Sequence, residues 1–305
     1  MPFIKNEKFY GTLFLGFFSG FLVAFIFIYG ASILTLNRNK KSNVLEKQMN
    51  SRYYEPKVFE KPNNLQTPNK IASVLEKRDY RIPIVTYHYI EYVKDPLDTI
   101  RKSLDIVPFV FEKELEVLKN NNYQTLFVKE LPKILSGETP YSSKSAVLTF
   151  DDGYEDFYTD AFPLLKKYGI KATIYVVYDF IGRKGFLNEK EIKEIIDSRL
   201  VEVGSHTLDH FYLKKSSKSI AAKQVIDSKK MLEDKFNIKV ETFAYPYGAF
   251  DQETIDLVKS AGYTAAVSVI SGIKHSDEDL FYLYRIRAGS FSYGTIINFF
   301  ENYKK

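Results

Sequence analysis

Strand and helix patterns alternate along most of this chain, and this alternation limits the folds that it can adopt. From Arg81 onward, short apolar runs with strand character are followed by stretches with helical spacing, giving six or more β-then-α units in about 225 residues. Such alternation is typical of a parallel sheet. At this length we predict a closed (β/α) barrel rather than an open sheet.

Several polar residues follow the predicted strands at the ends where those strands stop. One strand ends at His88, a second runs into Asp151 and Asp152, and a third is followed by His206 and His210. In (β/α) barrels the catalytic groups lie at the C-terminal ends of the strands. The sequence therefore predicts that these five residues share one site.

The spacing of His206 and His210 predicts a metal site. On a helical turn, residues four apart lie on one face, about 5–6 Å from each other, which suits two ligands of one ion. The chain has four His and no Cys, so a metal would be held by His and carboxylate. With an Asp from a neighbouring strand as third ligand, the site keeps an open position for water, as catalytic zinc sites do.

The adjacent carboxylates of Asp151 and Asp152 need an explanation, because each raises the cost of ionising the other. If a metal ion is bound nearby, one Asp ionises as a ligand and the second stays ionised to take a proton from the attacking water. The alternative is a structural turn in which an Asp caps the helix that begins near Glu155.

The N-terminal part of the chain has a different character. No residue from 9 to 37 is charged, and this run exceeds the ~20 apolar residues that a membrane helix requires. It is also longer than the roughly 7–15 apolar residues of a cleaved signal peptide. We predict a short tail at 1–8, one uncleaved transmembrane anchor at 9–37, a basic, Pro-containing tether at 38–80 and a catalytic domain at 81–305.

The net charge of +5 does not indicate a nucleic-acid-binding domain. Its basic excess lies in the predicted tether, whereas acidic and basic residues nearly balance in the predicted catalytic domain. A nucleic-acid-binding domain would carry a basic patch of its own. We therefore predict no nucleic-acid partner.

These motifs resemble the polysaccharide deacetylases of carbohydrate esterase family 4, also called the NodB homology domain. The resemblance covers about residues 81–290 and rests on TFDDG at 149–153, HTLDH at 206–210 and YPYG at 245–248. The strings PIVTYHYI and FAYPYG are most similar to the branch that acts on poly-N-acetylglucosamine. The resemblance implies a distorted (β/α)7 barrel that hydrolyses N-acetyl amide bonds.

The same resemblance implies roles for individual residues. Asp151 would be the general base, and Asp152, His206 and His210 would bind a divalent metal ion, with Zn²⁺ expected and Co²⁺, Ni²⁺ or Fe²⁺ as alternatives. The backbone N–H of Tyr247 would help to bind the oxyanion. The residues predicted to line the substrate and oxyanion site are Tyr245, Pro246, Tyr247, Gly248 and Arg285.

The chain departs from the family pattern on the acid side of the mechanism. Tyr245 stands where the third motif often begins with an Arg that contacts the base, and Arg285 stands where the LxH motif supplies a catalytic His. The chain also has no Trp for the fourth motif. We predict that His88 protonates the leaving amine or orients the group that does, with a structural His88 as the alternative. His275 is predicted to lie in a solvated loop.

The sequence thus predicts a metal-dependent hydrolase that removes N-acetyl groups from a polymer such as poly-N-acetylglucosamine, peptidoglycan or a chitin-like chain. Such polymers lie outside the membrane, so we predict a single-pass protein of the cytoplasmic membrane with an extracytoplasmic domain. The Lys and Arg residues around the anchor mildly favour the opposite orientation. The alternatives are a carbohydrate-binding protein with impaired catalysis and a deacetylase of a small N-acetylated molecule.

Overall fold

The structure, a computed structural model, describes residues 80–288. The predicted tail, membrane anchor and nearly all of the tether lie outside these residues, as do the last residues of the predicted catalytic domain. Within 80–288, none of the helices combines the length and the apolar character needed to cross a membrane.

Strands and helices alternate through the described residues, as the sequence predicts. The strands are β1 (Tyr80–Arg81), β2 (Ile84–Tyr87), β3 (Gln124–Leu126), β4 (Ser145–Phe150), β5 (Ala172–Val176), β6 (Val201–Ser205), β7 (Thr242–Ala244), β8 (Ala265–Ser271), β9 (Lys274–His275) and β10 (Leu283–Arg287). The α-helices are α1 (Thr99–Leu104), α2 (Pro108–Asn120), α3 (Leu131–Leu135), α4 (Phe162–Tyr168), α5 (Glu189–Asp197), α6 (Lys218–Ala222), α7 (Ser228–Phe236) and α8 (Gln252–Ser260).

Seven of these strands form a closed parallel barrel. Their order is β2, β10, β8, β7, β6, β5 and β4, and β4 pairs back to β2 from Ile84 with Val147 to Tyr87 with Phe150. Strand β3 pairs with β4 from Ser145 to Val147, and β2 pairs with β4 from Val147 onward. The predicted (β/α)7-type barrel is therefore confirmed.

Alternation along each strand decides which side chains enter the barrel. The core cluster inside the barrel includes Ile84, Val147, Tyr175, Ala244, Val267 and Leu283. Their neighbours in the strands pack outward in a second cluster that includes Val85, Leu148, Ile174, Phe243 and Ala266. His88, Asp151 and Arg285 stand an even number of residues after these inward-facing positions in β2, β4 and β10. Their side chains therefore lie on the same side of the strand as the interior residues. The strand period thus directs three polar side chains toward the C-terminal mouth of the barrel.

A glycine makes room for the largest side chain inside the barrel. A Cβ atom on Gly204 would lie 2.5 Å from the Tyr175 ring and 2.8 Å from the Thr242 hydroxyl, closer than carbon atoms pack. The buried Glu202 carboxylate accepts hydrogen bonds from the hydroxyls of Thr173 and Thr242. Both oxygens of this carboxylate therefore have partners, as buried polar groups require.

Local sequence signals explain where several helices begin and end. Asn188 and Asp251 cap α5 and α8, and each accepts backbone N–H groups of the first turn through its side chain. Helix α4 ends at Gly169, which has a φ of 65°, and glycine adopts this left-handed conformation without steric cost.

His275 is buried, in contrast to the solvated position predicted for it. It lies in β9, which pairs with β1, and only 1% of its surface is exposed. One ring nitrogen, Nε2, lies 2.9 Å from the carbonyl oxygen of Ile82. Burial lowers the pKa of His275 to about 4. The prediction was wrong because the polar composition of the surrounding loop does not reveal that β9 pairs with β1 or that His275 bonds to Ile82, 193 residues away in sequence.

A buried acid packs against the outer side of the barrel. The Tyr87 hydroxyl donates a hydrogen bond of 2.7 Å to Oε2 of Glu114, a residue of α2 with 3% exposure. Burial raises the pKa of Glu114 to about 7 from an ordinary value of 4.5, although the hydrogen bond from Tyr87 opposes the shift. A native pKa above the unfolded one means that the native state binds the proton more tightly.

We therefore expect Glu114 to make the protein less stable as the pH rises. Its contribution is fully present below pH about 4.5 and is lost as the pH rises through about 7. In Glu114→Gln, the loss of unfolding free energy between pH 5 and pH 8 should be smaller than in the wild type, by on the order of 1–3 kcal/mol. Urea denaturation at both pH values measures this difference. Glu138→Gln, at an exposed position, serves as the control, and an unchanged pH dependence in Glu114→Gln would contradict the shift.

Candidate active site

Three predicted metal ligands come together at the C-terminal mouth of the barrel. Asp152 follows β4, His206 follows β6, and His210 lies in the next turn of the chain. Oδ1 of Asp152 is 3.3 Å from Nε2 of His206 and 3.2 Å from Nε2 of His210. Within residues 80–288 this is the group of His and acidic side chains with the geometry to hold a metal, its donor atoms all within 4.8 Å of one another.

The two imidazoles converge through a tight turn and not through the helical turn that the sequence predicts. Residues 207–209 form the turn, and Thr207 and His210 have positive φ values of 67° and 62°. The Thr207 hydroxyl accepts the backbone N–H of Phe211, and a buried Gln224 side chain accepts that of Leu208. These bonds hold two left-handed residues in place, so that the ring centres lie 4.9 Å apart.

Surrounding contacts orient the ligands for a cation. Nδ1 of His206 lies 2.8 Å from the carbonyl oxygen of Ala244, so this nitrogen carries the proton and Nε2 is left as the donor atom. Oδ1 of Asp152 is buried and accepts no hydrogen bond. Burial opposes ionisation of this acid, but the two imidazoles lower the pKa of Asp152 well below its usual range. Two imidazole nitrogens and an ionised carboxylate oxygen fit a three-ligand zinc-type site.

Asp151 is held by a buried ion pair with Arg285. The guanidinium of Arg285 donates from Nη1 to Oδ1 of Asp151 at 2.8 Å and from Nη2 to Oδ2 at 2.7 Å. The same group donates to the carbonyl oxygen of Ser268 and to the hydroxyl of Thr149. Arg285 and Asp151 are 2% and 4% exposed. This two-pronged geometry is among the strongest that an ion pair adopts.

The role found for Arg285 corrects its predicted place among substrate and oxyanion residues. Its donors point to Asp151 and to the barrel wall, and almost none of its surface is accessible to a substrate. Burial raises the pKa of Asp151, but the charge and hydrogen bonds of Arg285 outweigh burial and lower it overall. Each carboxylate oxygen has a second acceptor direction, so the ionised Asp151 is still able to accept a proton from water.

His88 lies close enough to Asp151 and Asp152 for their charges to affect its pKa. Burial lowers its pKa, and Asp152 and Asp151 oppose that shift. Its Nδ1 atom is buried without a hydrogen-bond partner. Buried polar atoms in proteins nearly always have partners, so this nitrogen is available to bond a group that enters the site.

The YPYG motif contributes backbone and one ring to the site. Tyr247 has a φ of 58°, and its ring centre is 4.4 Å from that of His210. Gly248 follows with a φ of 61°, and a Cβ atom there would meet the Val269 side chain at 2.1 Å. Pro246 is buried. This close packing fixes the turn that carries the Tyr247 backbone.

Tyr245, which was predicted to line the substrate site, is instead a core residue. It is 1% exposed, and its hydroxyl donates to the carbonyl oxygen of Phe281 at 2.9 Å. Its ring packs against Phe243 and Phe250. The strand alternation explains the difference, because Tyr245 follows Phe243 by two residues and therefore faces the outer core as Phe243 does.

The motif analysis did not identify Tyr154 as a site residue. Its ring stacks on Tyr89 at 4.0 Å, and its hydroxyl interacts with the carboxylate of Asp152. The sequence did offer a signal for Tyr154, because it stands two residues after the predicted ligand Asp152. A side chain so near a ligand in sequence is a candidate for contact with it.

The ion pair predicts a strong energetic coupling between Arg285 and Asp151. Arg285→Met leaves a buried carboxylate without its partner, which should reduce the unfolding free energy by about 3–5 kcal/mol. The same substitution in an Asp151→Asn background should cost much less, because no buried charge remains. Chemical denaturation of the four proteins measures the coupling, with Arg183→Met in an exposed loop as the control. Equal losses in both backgrounds would show that Arg285 acts through other contacts.

Comparison with known proteins identifies the family of this chain. The family model described as polysaccharide deacetylase matches residues 138–266. A putative polysaccharide deacetylase of Bacillus subtilis, YxkH, is 33% identical over 216 residues, covering 71% of this chain and 74% of that protein. A poly-beta-1,6-N-acetyl-D-glucosamine N-deacetylase of Staphylococcus aureus is 29% identical over 198 residues, covering 61% of this chain and 68% of that protein.

A solved structure agrees with these sequence matches. The Streptococcus pyogenes deacetylase PplD, in complex with acetate, superposes with a TM-score of 0.66 at 30% sequence identity, covering 73% of this chain and 98% of that one. The barrel, the convergent Asp and His side chains and these relatives agree with one another. The chain belongs to the polysaccharide deacetylase family, whose members are hydrolases acting on N-acetyl amide bonds.

Proposed function

We propose that this protein removes N-acetyl groups from an N-acetylglucosamine polymer outside the cytoplasmic membrane. The reaction uses a divalent metal ion, with Zn²⁺ as the first candidate, bound by Asp152, His206 and His210. The observation that carries the proposal is the convergence of three donor atoms beside Asp151, which Arg285 keeps ionised. Asp152 and Asp151 thus have separate cationic partners and are free to perform separate tasks.

The reaction adds water across the C–N bond of an acetamido group. A divalent ion held by Asp152, His206 and His210 would supply Lewis-acid polarisation of the amide carbonyl and would lower the pKa of nearby water. Asp151 accepts a proton from the attacking water as the new C–O bond forms. The fixed contacts of its two oxygens with Arg285 orient the remaining acceptor directions and limit rotation of the carboxylate.

The remaining steps concern the oxyanion and the leaving nitrogen. The Tyr247 backbone N–H donates a hydrogen bond to the developing oxyanion, and the tight turn at Tyr247 and Gly248 fixes its position. His88 delivers a proton to the leaving nitrogen or orients the group that does, since its ring lies near both acids and one nitrogen has no protein partner. The C–N bond then breaks to give acetate and an amine.

Relatives support the substrate class. The similar Staphylococcus aureus protein is named for poly-beta-1,6-N-acetyl-D-glucosamine, and the structure of the Streptococcus pyogenes deacetylase holds acetate. Polymers of this kind lie outside the membrane, and the uncharged run at 9–37 has the length to anchor the enzyme there. The location of the polymer is the point that favours an extracytoplasmic domain.

Acetate release tests the proposed activity. The full-length protein in detergent should release acetate from β-1,6-linked N-acetylglucosamine polymer, and a chelator should abolish release until Zn²⁺ is restored. Peptidoglycan, chitin oligomers and monomeric N-acetylglucosamine complete the panel and distinguish the polymers from a small-molecule substrate. The absence of release from every polymer would overturn the proposed function.

Two variants separate metal binding from proton transfer in the same assay. His210→Ala should lose both bound metal and activity, because it removes one of three ligands. Asp151→Asn should keep the metal and lose turnover, because a base acts on the transition state. Metal analysis of each purified protein accompanies the acetate assay. Full metal occupancy in His210→Ala, or an active Asp151→Asn enzyme, would refute the corresponding assignment.

His88 has its own test. His88→Ala should keep the bound metal and the fold but lower kcat by roughly 10²–10⁴, the usual contribution of a positioned proton donor. His275→Ala is a control for removing a buried imidazole, because His275 bonds to Ile82 in a different part of the structure. Near-normal kcat in His88→Ala would return His88 to a structural role.

Cysteine labelling tests the location of the domain. The chain has no Cys, so a single Cys at the exposed Ser143 would be the one reactive thiol. A membrane-impermeant maleimide should label this Cys in cells with an intact cytoplasmic membrane once any outer barrier has been opened. Labelling only after lysis of that membrane would place the domain in the cytoplasm and contradict the proposed location.

A further inference from the structure

An exposed tyrosine lies beside the metal site. Tyr212 follows His210 by two residues, and 53% of its surface is exposed. Its ring centre lies 6.2 Å from that of Tyr247, whose ring in turn packs against His210. A single aromatic ring therefore separates Tyr212 from a predicted metal ligand.

The backbone around Tyr212 is held on both sides. The N–H of the preceding Phe211 donates to the Thr207 hydroxyl, and the following Leu213 is fully buried in the core. Farther along, the N–H of Lys215 donates to the Asp251 carboxylate. Tyr212 is therefore an aromatic side chain presented to solvent from an anchored segment.

The chemistry of the proposed substrate suits such a ring. A pyranose ring has faces of C–H groups that pack against an aromatic side chain, and Tyr offers a large apolar face with a hydroxyl at its tip. In a polymer, the sugar next to the reacting one lies beside the metal site, where Tyr212 is found. Binding energy from such a non-reacting unit helps to position the reacting acetamido group.

We propose that Tyr212 is a sugar-stacking platform that binds a unit of the polymer next to the N-acetylglucosamine being deacetylated. This inference rests on the proposed function and adds a chain-length preference to it. Tyr247 supports the ring of Tyr212 from the side of His210. Tyr212 therefore contributes to selection of polymer over short substrates and has no part in proton transfer.

Kinetics on substrates of different length test the platform. For full-length Tyr212→Ala, KM for an N-acetylglucosamine pentamer should rise about tenfold, the equivalent of one lost aromatic contact of about 1.4 kcal/mol. KM for the dimer should rise much less, and kcat and bound metal should change little in comparison. Tyr212→Phe should retain the wild-type preference for the pentamer, because it keeps the ring.

Controls and outcomes separate this inference from the proposed function. Ile226→Ala removes a side chain of similar exposure from the segment between α6 and α7 and should leave both KM values unchanged. Equal effects of Tyr212→Ala on dimer and pentamer, or no effect on either, would overturn the platform while the deacetylase activity stands. A wild-type protein that releases no acetate from any substrate would overturn the proposed function and the platform with it.

Discussion

The ion pair between Asp151 and Arg285 is the interaction on which the arrangement of the site depends. Two adjacent buried carboxylates cannot both stay ionised without compensation. Arg285 compensates Asp151 through two hydrogen bonds, while His206 and His210 face Asp152. The mouth of the barrel therefore holds two adjacent carboxylates, each with partners of its own.

The closed barrel makes this ion pair possible. Arg285 lies in β10, which pairs with β2 on one side and with β8 on the other. Strand β4, which leads to Asp151, pairs with β2. Since β2 lies between β10 and β4, a guanidinium that points into the barrel reaches a carboxylate that is 134 residues away in sequence. His88 follows β2 itself and therefore lies between the two strands that form the pair.

The structure connects two departures from the family motifs. The family pattern places an Arg at the position of Tyr245 and a His at the position of Arg285. Here Tyr245 packs into the outer core, and Arg285 supplies the cationic contact to Asp151 from the position of the missing His. In the mechanism that we propose, this one change provides the partner of the base and removes a histidine acid from β10. His88 is then the proposed source of the proton.

The sequence by itself determined the features that follow from patterns and positions along single strands and helices. The barrel followed from the alternation of strand and helix patterns, and the convergence of Asp152, His206 and His210 followed from their positions after parallel strands, because such strands end at one edge. Tertiary structure alone decided the partner of Arg285, the outward direction of Tyr245 and the burial of His275. These depend on barrel closure, on side-chain parity within a strand and on pairing between distant segments. Barrel closure and strand pairing join residues that only the folded chain brings together, and only the fold decides which face of a strand lies inside the barrel.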